Sequence, residues 1–258
     1  MATTMKAPQE LPVTRSAPTL WLRITALGIL ALLAATPFFA HLIQGMVEKS
    51  GKPARFPLAA LLAMQGVQTV LVLALAAWAG GKLGPKLGLD APVLRGAERL
   101  SGIPLAMLAG TLATLGMVAL EHAFKPFLPE ALQAAKQALG GPLLGFSASF
   151  YGGIIEEILL RWGVLTALAA LLYRLRVPLR TSLAVANVAA ALIFGAGHLP
   201  AVSQLHVPLN LPLVAYIVLV NALGGVVFGW LFLRHGLERA MIAHFTADLW
   251  LHVVFAAL

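Results

Sequence analysis

The chain has no cysteine among its 258 residues. Disulfide staples and thiolate zinc sites are therefore excluded outright. Charge is scarce as well: 11% of the residues are charged, against about 25% in an ordinary soluble domain. Only ten residues are acidic, and most of those fall in connecting segments or tails. There is no His-Glu-x-x-His sequence, which rules out a zincin-type metalloprotease. Strand-like alternation of apolar and polar residues is absent, so a transmembrane barrel is not expected.

Apolar side chains fill the space these residues leave, at 60% of the chain. One soluble core of this length cannot bury that fraction, so lipid must cover much of the surface. Seven stretches are long and apolar enough, or nearly so, to cross a bilayer as helices: 20–44, 57–80, 102–120, 142–173, 181–198, 211–233 and 240–257. The first is longer than a signal-peptide core and reads as an uncleaved span. The expected fold is all-α, a polytopic transmembrane helix bundle. Residues 1–19 form a polar, disordered cytoplasmic tail and 20–258 a single transmembrane domain.

The net charge of +8 does not indicate nucleic acid, because the cations sit between apolar blocks and not along one face. They orient the chain instead. With a cytoplasmic N-terminus, twelve of the 18 Lys and Arg residues lie inside and five outside, as the positive-inside rule favours. Arg161 is the remaining one, within a span. An eighth span would arise by splitting 142–173 at Arg161, but this puts Arg174, Arg176 and Arg180 outside. Segment 121–141 reads as an interfacial loop with a short amphipathic helix near 130–139. Gly225 and Gly229 form a small-x-x-x-small pair suited to close helix packing. The five tryptophans fall mostly near span ends, as interfacial anchors do.

A carboxylate at membrane depth costs roughly 2.5 kcal/mol or more, so it persists where a partner or wet cavity receives it. Three qualify: Glu156, Glu157 and Asp248. Glu157 and Arg161 are four apart and face each other on a helix, glutamate first. Glu156 points about 100° away, which leaves it free to act as a base. Phe194 and His198 share a face near the end of the fifth span, with three small residues between them. His244 and Asp248 share a face of the last. Each pair also has a purely structural reading: a buried ion pair, an interface histidine, a self-satisfied His–Asp pair. His252 lies two turns beyond His244 on nearly the same face, towards the far interface.

Glu-Glu-x-x-x-Arg, Phe-x-x-x-His and His-x-x-x-Asp, in this order and each in its own span, resemble the CPBP family. That family groups the CAAX prenyl endopeptidases with bacterial bacteriocin-processing and immunity-type membrane proteins. The resemblance covers about 143–258, the catalytic core it implies. The third motif commonly ends in Asn, where this chain has Asp248.

The resemblance implies an intramembrane endopeptidase of a prokaryotic plasma membrane, acting on a peptide or membrane-associated protein that could be lipidated. Glu156, helped by His198, looks like the base that activates water. His244, with Asp248, looks like the group that polarises the carbonyl. Glu157 and Arg161 look like support, and Phe194 like a wall of the cleft. No cofactor is required by this acid–base scheme; if zinc took part, Glu156, His198 and His244 would be its ligands. Two other readings stand beside it. One is a non-catalytic immunity or scaffold protein; the other is a small transporter with Glu156 and Asp248 as proton relays.

Straight helices do not obviously bring the histidines together. His198 lies about 24–27 Å along the fifth span from its cytoplasmic end and His244 about 6–8 Å along the last, at about 1.5 Å per residue. Convergence needs a strong tilt, a deeper start of the fifth span, or a last helix that begins inside the bilayer.

Overall fold

A computed structural model describes residues 19–51, 53–130, 132, 140–203, 207 and 209–257. The tail (apart from Thr19) and most of the expected 130–139 helix lie outside the described residues. Among the described residues every regular element is helical, as the apolar runs require. In chain order they are α1 (Leu20–Ala34), α2 (Thr36–Ser50), α3 (Leu58–Leu83), α4 (Ile103–Phe124) and α5 (Gly141–Phe150). Two π-helical segments, Tyr151–Glu156 and Ile158–Leu165, then lead into α6 (Thr166–Arg174). After these come α7 (Leu179–Gly197), the short α8 (Leu199–Ser203), α9 (Leu211–His235) and α10 (Leu237–Asp248), which ends in a third π-helical segment, Leu249–Val254.

Four of these helices are long and apolar enough to cross a membrane: Leu58–Leu87, Ile103–Phe127, Leu179–Val202 and Leu211–His235. The α1–α2 pair makes a fifth if counted as one span, although it bends by 54°. The bend has a local cause. Pro37 cannot donate to the preceding turn. Ser147 bridges the next rung of the ladder, its Oγ donating to the Ala34 carbonyl at 2.8 Å and accepting from the Phe38 amide at 3.4 Å. The expected spans at 142–173 and 240–257 are also helical, but π turns divide the first into short α segments and end the second. Outward apolar residues such as Leu71 (66% exposed) and Leu112 (57%) have no protein cover, as in a belt that meets lipid.

The last helix is the centre of the bundle, not an edge. α10 packs against α4, α9, α5 and the first π segment, and nearly all of its residues are buried. Its N-terminus is roofed by the segment 84–102. The Leu237 amide donates to the Asp90 carbonyl at 3.2 Å, and Glu238 Oε1 accepts from the Leu94 amide at 2.8 Å. Arg239 donates to the Ser101 carbonyl and hydroxyl, both at 3.0 Å, and to Glu98 at 3.2 Å. Arg239, which the sequence places among the loop cations, is therefore buried and paired. Gly236, between α9 and α10, has φ +87° and ψ 170°, a conformation only glycine takes without strain. A Cβ there would also overlap Pro92.

Small residues let α7 and α9 approach closely. Gly225 meets Ala191 and Gly229 meets Asn187, whose amide donates to the Val226 carbonyl at 3.2 Å. Trp162 departs from the anchor role expected of the tryptophans. It is fully buried against Gly80 and Phe232, and its indole donates to the Ala77 carbonyl.

Candidate active site

The site is built where the first two π segments lie against α10. A π turn adds a residue to the helical turn and widens it, a feature found often at functional sites. Gly152 and Gly153 allow α10 to come close. A Cβ on Gly152 would overlap the Asp248 carboxylate and crowd His244, and one on Gly153 would press into Phe245. Gly152→Ala is therefore expected to displace Asp248 and to lower any hydrolytic kcat by at least about tenfold, since an ångström of misplacement can cost about a hundredfold. Far-ultraviolet circular dichroism should remain unchanged. Steady-state kinetics on the purified variant checks the loss.

Two adjacent glutamates reach the same imidazole. Glu157 Oε1 lies 2.8 Å from His244 Nδ1, and Glu156 Oε2 lies 3.9 Å from His244 Nε2. A carboxylate accepts only, so Nδ1 carries the proton it shares with Glu157. The ring is thereby fixed, and Nε2 is the nitrogen turned to Glu156 and to Asp248 Oδ1 at 3.7 Å. Glu157 thus holds the imidazole from another element. Glu156, expected to have no local partner, has the histidine as its neighbour.

Arg161 completes the support. Its Nη1 is 3.1 Å from Glu157 Oε1, as the four-residue spacing requires, and both side chains are almost fully buried. Nη2 donates to the Gly225 carbonyl at 3.3 Å. The guanidinium lies over the rings of Phe194 at 4.9 Å and Phe228 at 5.7 Å, a cation–π arrangement. Phe228 is a contributor the sequence reading missed. It stacks on His244 with centroids 4.6 Å apart and an interplanar angle of 19°. The available signal was its position three residues after Gly225, on the same face of the sixth span.

His198 meets this cluster through Phe194. The Phe194 ring is 4.8 Å from His198 and 5.8 Å from His244, edge-on to both. His198 Nδ1 donates to the Phe194 carbonyl at 2.9 Å, so in the neutral ring Nε2 holds the lone pair. Phe194 is thus the ring that both histidines touch. Glu156, His198 and His244 are not gathered as a metal site: among the described residues no three His, Asp or Glu side chains are placed to hold an ion. His244 Nδ1 is already committed to Glu157 and His198 Nδ1 to a backbone carbonyl. The zinc set is thus not supported by this arrangement.

The contact between the fifth and last expected spans follows from the same geometry. α10 begins beneath the 84–102 segment, and the contact from α7 is made by Phe194, one turn before His198.

Residues 138–250 match the family described as Type II CAAX prenyl endopeptidase Rce1-like. That stretch is Rce1-like. It contains all three motifs, the first two π segments, and both glutamates and both histidines of the site. No curated protein and no solved structure matches the chain. The similarity of this stretch to the CAAX prenyl endopeptidases, together with the apolar helices, points to a multi-pass membrane protein.

Proposed function

We propose that the chain is an intramembrane endopeptidase that hydrolyses a peptide bond with a glutamate-activated water. Its substrate would be a peptide or membrane-associated protein, lipidated near the cleaved bond. The observation that carries the reading is the imidazole of His244, held by Glu157 at Nδ1 and facing Glu156 and Asp248 with Nε2, all within the buried centre of the bundle. A structural ion pair would need Glu157 and Arg161 alone. It would not need a second carboxylate and an oriented imidazole nitrogen beside them.

In this scheme Glu156 takes a proton from a water, with the His198 lone pair assisting. The resulting hydroxide attacks the scissile carbonyl carbon. Protonated His244 donates Nε2–H to the developing oxyanion, and Asp248 flanks it. When the tetrahedral intermediate collapses, the C–N bond breaks and the proton on Glu156 passes to the leaving amine. Fixing His244 beforehand means that little reorganisation is left for the reaction itself. The chain would lie in a prokaryotic plasma membrane with seven crossings and a cytoplasmic N-terminus.

Detergent-purified protein should cleave a quenched-fluorescent peptide carrying an isoprenylated cysteine, and should cleave the unprenylated peptide more slowly. Activity should survive a metal chelator. No cleavage of either peptide, with proton-coupled flux in proteoliposomes, would replace the hydrolase reading with a transporter. Complete loss on chelation would overturn the metal-independent mechanism.

A further inference from the structure

The site has an outer neighbour that the three motifs do not contain. His252 Nε2 lies 4.0 Å from Asp248 Oδ1, the same oxygen that lies 3.7 Å from His244 Nε2. One carboxylate oxygen thus stands between two imidazole nitrogens. Side-chain exposure rises along the row, from 7% at His244 through 11% at Asp248 to 46% at His252. The row runs from the buried centre to the protein surface.

The helix geometry is suited to this row. In an uninterrupted α-helix the residue eight positions after His244 would lie about 80° around the axis. The last four of those steps fall in the π-helical segment Leu249–Val254, whose wider turn rotates less per residue. That brings His252 back over the face of His244 and Asp248. Gly145 makes room for it, since a Cβ there would overlap the His252 backbone. The neighbouring Trp250 is fixed by an indole hydrogen bond to Thr111 at 3.1 Å.

We propose that His252 is the outer member of a proton relay that connects His244, through Asp248, to the surface. The inference rests on the hydrolase reading above. The proton leaves His244 Nε2 for Asp248 Oδ1; the carboxyl then releases it to His252 Nε2, and in this proposal water reaches the exposed His252 and takes the proton there. The reverse order reloads the imidazole. Neither gap is a direct hydrogen bond, and each closes with one bridging water or a small side-chain shift. An amide at 248 could not carry a proton, so the relay depends on this chain having Asp there. His252 itself lies beyond the Rce1-like stretch, which ends at 250. The third π segment packs against α5, which has no titratable side chain. It also packs against α4, with Glu121 and His122 in its last turn, and against α10, with Glu238, Arg239, His244 and Asp248.

The test compares wild type with His252→Gln and His252→Phe, using the isoprenylated peptide as substrate. Both variants should lose roughly tenfold in kcat, well short of the 10²–10⁴-fold of a direct acid–base group, with KM unchanged. Added imidazole should restore the rate in a concentration-dependent way, which a purely structural role would not allow. A kcat within about twofold of wild type, or a loss that imidazole leaves untouched, overturns the relay. A second measurement does not depend on cleavage. Exchange of the His252 C2–H, followed against pH by mass spectrometry, should give different titration midpoints in wild type and Asp248→Asn. Identical midpoints overturn the Asp248–His252 link. Absence of wild-type cleavage with a midpoint that still moves would remove the hydrolase reading and leave the link standing.

Discussion

Glu156→Gln is expected to lower kcat by about 10²–10⁴-fold, the usual contribution of a general base, while the protein keeps its fold. The separation of the two effects follows from the geometry. Glu156 stands 3.9 Å from His244 Nε2 with its side chain 17% exposed, and it is not the partner of Arg161. Removing its charge leaves the Glu157–Arg161 pair and the His244 Nδ1 bond in place. Stability should therefore change by less than about 1 kcal/mol, as for substitutions outside tightly packed or paired positions. KM should move little, because the group acts on water and does not bind the chain of the substrate. A rate equal to wild type would remove Glu156 from the base role.

Arg161→Met is expected to produce the opposite pattern, with stability and activity lost together. The change leaves the Glu157 carboxylate, 0% exposed, without its cation. Breaking one side of a buried pair costs about 3–5 kcal/mol. For a chain of this length that is a fall in Tm of about 6–20 °C. The Phe194 and Phe228 rings also lose the guanidinium between them, and the acceptor that orients His244 is no longer held. The double change Glu157→Gln with Arg161→Met removes both charges and should recover part of the stability. It should recover little activity, since a neutral amide holds His244 less firmly than a carboxylate. Thermal unfolding and kinetics of the three variants check the pattern. An Arg161→Met protein as stable as wild type would contradict the buried-pair account.

The helical runs and the buried carboxylates could be read from the sequence because lipid leaves few alternatives. An apolar run of 20 or more residues has to be a helix, and a carboxylate inside one needs a partner. The i,i+4 spacing of Glu157 and Arg161 identified one such pair in advance. What could not be read depended on contacts between distant segments. The π turns arise from how 151–165 fits α10, and no local propensity marks them. The burial of Arg239 depends on the 84–102 segment folding over the start of α10. The partner of His244 Nδ1 could not be chosen from spacing on one helix, because Glu157 reaches it from another element. Treating Glu156 and Glu157 as facing different partners was sound for an ideal helix. It missed that a single imidazole can be met from both sides.

The zinc set draws no support from the structure for a related reason. Three donor residue types on three spans satisfy a sequence rule, but coordination needs their lone pairs to converge. Among the described residues no three such donors are placed to hold an ion, and each histidine Nδ1 already has an oxygen partner.

The most direct test of the account is single-turnover cleavage of the isoprenylated peptide in ¹⁸O-labelled water, with wild type and Glu156→Gln side by side. The account predicts one labelled oxygen in the new C-terminal carboxylate from wild type and almost no product from the variant over the same interval. Equal labelled product from both proteins would contradict it, because the attacking water would then owe nothing to Glu156.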